Sequence, residues 1–105
     1  MNVELICLFD SSFTLIRVNH TWPRIFGIAP EIATGLSLFE FVPEQQHQQI
    51  KTDLAVLGPE KRTVSYKHAV GLQSHVTAWI DWEYRIILDE HGTVLAYEAV
   101  GKLDY

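Results

Sequence analysis

Val76-Thr77-Ala78-Trp79-Ile80-Asp81-Trp82-Glu83-Tyr84-Arg85-Ile86-Ile87-Leu88 is the stretch that decides the fold. Ile80, Trp82, Tyr84 and Ile86 share one face of an extended chain, and Thr77, Trp79, Asp81, Glu83, Arg85 and Ile87 share the other. That period of two predicts one long strand. Asp89-Glu90-His91-Gly92 follows as a hairpin loop whose glycine can take a positive φ, and residues 93–100 return as the closing strand. Upstream, residues 62–70 alternate in the same way. Val64, Tyr66, His68 and Val70 oppose Thr63, Ser65 and Lys67.

Further toward the N-terminus the period changes. In residues 43–57, Ile50, Leu54 and Leu57 recur at i, i+4 and i+7. Glu44, Gln45, Gln48, Gln49, Lys51 and Asp53 fill the remaining positions, which predicts the longest helix with Asp53 on its polar side. Gly58-Pro59 ends it. Ser37-Leu38-Phe39-Glu40 has capping-box spacing, and Pro43 keeps its helix short. Pro30 can open a short helical turn that Gly35 closes. Asn19 and Gly27 bracket another over residues 20–26, with Asn19 as the N-cap. Residues 4–9 and 13–18 read as strands joined by the turn-forming Asp10-Ser11-Ser12. Strands flanking inserted helices predict an α+β domain, with a five-stranded antiparallel sheet carrying short helices and one longer helix on one face.

The 105 residues are enough for a single domain, taken as residues 1–105. With 48% hydrophobic and 20% charged residues, the chain suits a globular core and not disorder. Its net charge of −5, with basic residues scattered, argues against direct nucleic-acid binding. The single cysteine, Cys7, excludes an internal disulfide and a cysteine-built zinc site, and its apolar neighbours suggest a buried thiol. There is no signal-peptide pattern and no stretch near the roughly 20 apolar residues of a membrane span. The expectation is a cytoplasmic domain without membrane contact, as a segment of a larger protein.

The element order, taken with particular residues, resembles the PAS family along nearly the whole chain. Asp10 and Val18-Asn19 resemble its first hairpin running into a helix, and Ile25-Phe26-Gly27 the end of that helix. Gly35-Leu36-Ser37-Leu38 through Val42-Pro43-Glu44 resemble the approach to the longest helix. Trp79-Ile80-Asp81-Trp82, Arg85 and the 89–92 loop resemble the penultimate strand of bacterial sensor members. Tyr97-Glu98-Ala99-Val100-Gly101-Lys102 resemble the last strand. The resemblance implies a cleft between sheet and helices, and an output domain in cis: a histidine kinase, diguanylate cyclase or transcription regulator. It also implies a departure, since Leu103 stands where sensor members often carry the Asp of Gly-Arg-Asp-Ile-Thr.

The same resemblance disfavours the family's larger cofactors. Its haem-binding oxygen sensors use a histidine at the position of Ile50, which cannot ligate iron. His47, one turn earlier, reads as solvated among glutamines. The family's light sensors need a cysteine in the helical segment, and none follows Cys7. His20, His47, His68, His75 and His91 lack metal-ligand spacing, so no metal is expected. Ser11, Ser12, Ser37, Ser65 and Ser74 lack nucleophile-elbow glycines, so no catalytic residue is assigned.

Strand parity makes Phe26, Phe41, Ile50, Leu54, Val64, Tyr66, Ile80, Trp82, Tyr97 and Ala99 the candidate cleft lining. So many rings leave room only for a small metabolite, held by the Tyr66 and Tyr97 hydroxyls, or for no ligand. Trp79, Ile87, Val94, Ala96 and Val100 fall on the outer face, where apolar residues need a cover. A homodimer through that face is expected. Three functions follow: a sensory and dimerisation module, a ligand-free dimerisation module, or a small cone-shaped isomerase or dehydratase. The last needs a buried carboxylate or histidine dyad, for which His68 beside Tyr66 is the nearest candidate.

Overall fold

Two aspartates turn the chain in the same way at the same end of the sheet. Asp10 Oδ1 accepts the backbone N–H groups of Ser12 and Thr14 at 2.9 and 3.0 Å, and Asp89 Oδ1 accepts those of His91 and Thr93 at 2.8 and 2.9 Å. Each loop needs one residue in the left-handed region. Gly92 supplies it at φ 83°, and Phe13 supplies it at φ 66° in the first loop. A phenylalanine resists that conformation. It is held there by ring contacts to Phe9 and Phe39, at centroid distances of 5.9 and 4.8 Å. Phe13 therefore belongs to the turn, and the second strand begins later than the sequence pattern indicates.

The computed structural model describes residues 2–71 and 77–104. Strands β1 (Asn2–Phe9) and β2 (Leu15–Val18) precede helices α1 (Thr21–Phe26) and α2 (Pro30–Ala33). Two 3₁₀ turns, Leu38–Phe41 and Glu44–Gln46, lead into α3 (His47–Ala55), and β3 (Thr63–Gly71), β4 (Thr77–Leu88) and β5 (Val94–Asp104) complete the chain. The sheet is antiparallel in the order β2-β1-β5-β4-β3, so the first and last strands meet in its middle, from Phe9 opposite Tyr97 to Asn2 opposite Asp104. Ser74, His75 and Val76 lie outside the described residues, as does the side chain of His68.

Several local expectations change. The helix expected over residues 43–57 is a 3₁₀ turn followed by nine α-helical residues. Asn19 is not the N-cap of α1, a position taken by His20. Its side chain extends the β1 ladder instead, accepting from Ile6 N–H at 3.2 Å and donating to the Glu4 carbonyl at 2.9 Å. Ser37 caps the turn by accepting from Phe39 N–H at 3.1 Å, while Glu40 N–H bonds the Ser37 carbonyl and the Glu40 side chain is exposed, so the capping box does not form as spaced. The closing strand runs past Val100, and Leu103, opposite Val3, is buried in the core.

The core lies between the sheet and the helices, with Leu5, Phe9, Leu15, Trp22, Ile50 and Ile80 fully buried. Trp22 satisfies its indole N–H by donating to the Ile6 carbonyl at 3.0 Å. Across the strands, Leu5, Gly101, Trp82 and Tyr66 form one row, and Cys7, Ala99, Tyr84 and Val64 the next. The small residues sit in the middle of both rows. A methyl group at Gly101 would lie 2.7 Å from the six-membered ring of Trp82, so the indole rests on bare backbone there. We expect Gly101→Ala to destabilise the fold by about 1–3 kcal/mol through overpacking. Urea unfolding should show this, and Trp82→Phe in the Gly101→Ala background should recover part of the loss. An unchanged midpoint for Gly101→Ala would refute the contact.

Candidate functional site

The concave side of the sheet gathers most of the residues assigned to the cleft. Ile50, Leu54, Val64, Ile80, Trp82 and Ala99 are buried in one cluster, with Phe26, Phe41 and Tyr97 half-buried against it. Phe26 and Phe41 pack 5.1 Å apart and both meet Trp22, at 4.7 and 4.9 Å. Tyr97 stacks on Phe9 at 5.3 Å. Tyr66 differs. It has inward parity but lies on the edge strand β3, where it is 37% exposed. The pattern missed Trp22 and Phe9 as organisers of this side, although β1 alternation (Leu5, Cys7, Phe9) would have placed Phe9.

Polar groups enter the same side from α3. Asp53 is only 2% exposed, contrary to its expected place on the polar side. Ile50, Asp53 and Leu54 fall at i, i+3 and i+4 on one stripe of the helix, so the position of Asp53 was legible and its chemistry misled. Gln49 Nε2 donates to Asp53 Oδ1 at 2.7 Å. Burial pushes the Tyr84 phenol well above its usual range, with smaller electrostatic contributions from Cys7 and Asp53. Burial likewise raises the Cys7 thiol to about 12, opposed by a backbone hydrogen bond from Ala99 and aided by Glu98. The Tyr97 phenol is raised by burial as well.

His47 is not a solvated side chain. Its Nε2 lies 3.1 Å from the Phe39 carbonyl and 2.8 Å from that of Val42, and its ring lies 4.5 Å from that of Phe39. Two carbonyl acceptors require that nitrogen to carry the proton. His47 thus closes the C-terminal end of the Leu38–Phe41 turn. Among the described residues, no group of three or more histidine, cysteine or carboxylate side chains could hold a metal ion.

The outer face of the sheet is mixed in character. Trp79 is 61% exposed, Ile87 and Val100 are half-buried, and Ala96 is buried. These residues do not form one apolar patch. Trp79 and Ile87 stand eight residues apart on β4, about 26 Å at strand rise. A bulge between Ile87 and Leu88 sets Val94 opposite Leu88, out of step with Ala96, so the alternation that grouped Val94 with the outer residues breaks there. Between Trp79 and Ile87 run charged rows. Glu4, Lys102, Asp81 and Lys67 are successive cross-strand neighbours, and Leu8, Glu98, Arg85 and Thr63 form another such row. A shallow depression of about 310 Å³ lies among Glu4, Ser65, Asp81, Glu83, Val100 and Lys102.

Comparison with known proteins agrees with this geometry. A family model described as the PAS fold matches residues 3–101. The PAS domain of a protein from Colwellia psychrerythraea superposes with a TM-score of 0.84 at 14% identity, covering 97% of this chain and 86% of that one. The Drosophila melanogaster Cycle PAS-B domain with bound ethylene glycol gives 0.77 at 10% identity, over 90% and 94% of the two chains. The PAS domain of an HTR-like protein from Haloarcula marismortui gives 0.74 at 16%, over 97% and 81%. Among curated proteins nothing matches.

A thiol held at about 12 is protonated, and buried, at neutral pH. Alkylation of Cys7 in the native protein at pH 8 should therefore be slow, and it should accelerate as urea unfolds the chain. The unfolded thiol ionises near its ordinary 9.0, so this group's contribution is complete below pH 9 and declines as pH rises toward 12. By pH 10 the loss is roughly 1–1.5 kcal/mol. A Cys7→Ala variant should show a shallower alkaline decline of stability than the wild type. Rapid native labelling would contradict the burial.

Proposed function

The chain belongs to the PAS family, and from that premise we propose a signal-input and dimerisation module that biases a neighbouring domain of a longer polypeptide and performs no catalysis itself. PAS domains are generally sensory and signalling modules. The observation that carries the finer reading is the two-sidedness of the sheet. One face is packed under the helices, while the other presents Trp79, 61% exposed, beside ordered rows of charge. A change on the packed face can reach the open one through the strands they share. The output domain is a histidine kinase, a diguanylate cyclase or a transcription regulator.

Any ligand of the concave side is a small metabolite. Trp82, Tyr84 and Phe9 are buried there already, and molecules the size of the ethylene glycol in Cycle PAS-B set the class. Haem finds Ile50, fully buried and without a ligating atom, at the position where the family's oxygen sensors carry histidine. A flavin adduct has no cysteine on the helical side. The buried carboxylate that an isomerase would need exists in Asp53, which accepts from the Gln49 amide; the side chain of His68, the expected partner in such a dyad, lies outside the described residues. The net charge of −5 disfavours nucleic acid. Among the described residues no helix is long and apolar enough to cross a membrane. We assign the domain to the cytoplasm, where the lone thiol stays reduced.

Two measurements test the assignment. Sedimentation should give a concentration-dependent dimer, and Trp79→Glu should raise its dissociation constant at least tenfold. A strict monomer at high concentration, unaffected by that substitution, would sink the dimer. Thermal shift against a metabolite panel separates a sensor from a ligand-free dimerisation module, because a specific ligand raises stability as ln(1 + [L]/Kd). A panel with no shift at millimolar concentrations favours the ligand-free form.

A further inference from the structure

We propose that two copies of this chain meet through their outer sheet faces about a two-fold axis that runs along the strands, between β4 and β5. The inference rests on the dimer reading above and specifies its geometry. Packed sheets keep their strand directions within about 30° of each other, so rows near the axis stay in rough register. The row Glu4, Lys102, Asp81, Lys67 alternates in sign across β1, β5, β4 and β3. An axis along the strands reverses that row in the second copy. Glu4 then faces Lys67 of the other copy, and Lys102 faces its Asp81, so every charge meets its opposite.

The same operation acts on the parallel row, where Glu98 meets Arg85 of the second copy and Leu8 meets Thr63. Trp79, further along β4, covers the second copy's β5 beside Lys102. Lys67 Nζ already stands 3.7 Å from Asp81 Oδ1 within one chain, and both side chains remain largely exposed. They are available to complete a four-charge network, whose members count for more than isolated surface pairs. The mismatches lie in the row between, where Val100 meets Glu83 at the margin of the depression and Ile6 meets Ser65.

A two-fold axis across the strands, through the row Ile6, Val100, Glu83, Ser65, is the competing arrangement. It pairs Lys102 with Glu98 and Asp81 with Arg85. It also sets Glu83 against Glu83, and leaves Glu4 and Lys67 facing the neutral Leu8 and Thr63. The strand-parallel axis alone uses Glu4 and Lys67.

Charge reversal at those two positions therefore decides the matter. Sedimentation equilibrium at low salt should show Lys67→Glu and Glu4→Lys each weakening self-association about tenfold, with circular dichroism unchanged. An equimolar mixture of the two variants should recover near-wild-type association, because Glu4 then meets Lys67 and the introduced residues meet each other with opposite sign. If neither single variant weakens association while Trp79→Glu still does, the axis is wrong and the dimer reading survives. If both weaken it but the mixture recovers nothing, the pairing is overturned. If the wild-type chain is monomeric throughout, the axis and the dimer reading fall together.

Discussion

The indole of Trp82 lying on the bare backbone of Gly101 is the contact around which the fold is arranged. The central strand β5 offers Ala99 and Gly101 to the concave side, both too small to fill the space above them. Larger groups must lean in from its neighbours: Trp82 and Tyr84 from β4, Leu5 and Phe9 from β1. Their convergence makes the two outer pairs of strands one sheet with one inner surface. Ile50 and Leu54 then dock on that surface, and the position of α3 follows. A larger side chain at residue 101 would lift the indole and disturb strand packing and helix seat together.

Strand identity and facing were legible because alternation over a dozen residues leaves few alternatives. What stayed hidden was the conformation of single residues whose chemistry argues against their place. Phe13 occupies a left-handed turn position that a glycine fills in the matching loop at Gly92. Only contacts with Phe9 and Phe39, remote in sequence or supplied by another element, make that tolerable. Asn19 has the composition of a helix cap, yet its amide matches the backbone spacing of β1 better than the helix end. Asp53 sits where helical spacing demands an apolar residue, and the carboxylate itself concealed the pattern.

The candidate site was legible to the same depth. Parity identified the inward rings, but not that Tyr66, on an edge strand, would remain accessible to water. The outward residues were seen as an apolar set, whereas cross-strand register interleaves them with charges from strands far apart in sequence. No linear reading places Glu4 beside Lys102. That pair exists only once β5 has entered between β1 and β4.

That insertion also brings Asn2 and Asp104 face to face at one end of the sheet. Force applied between these two positions by flanking polypeptide would load the β1–β5 ladder at its tip, opening it one hydrogen bond after another like a zip. Strands pulled from opposite ends share the load across every bond; these do not. Such a domain is mechanically soft along this one axis, and tension there would part the sheet at its centre before it disturbed the helices.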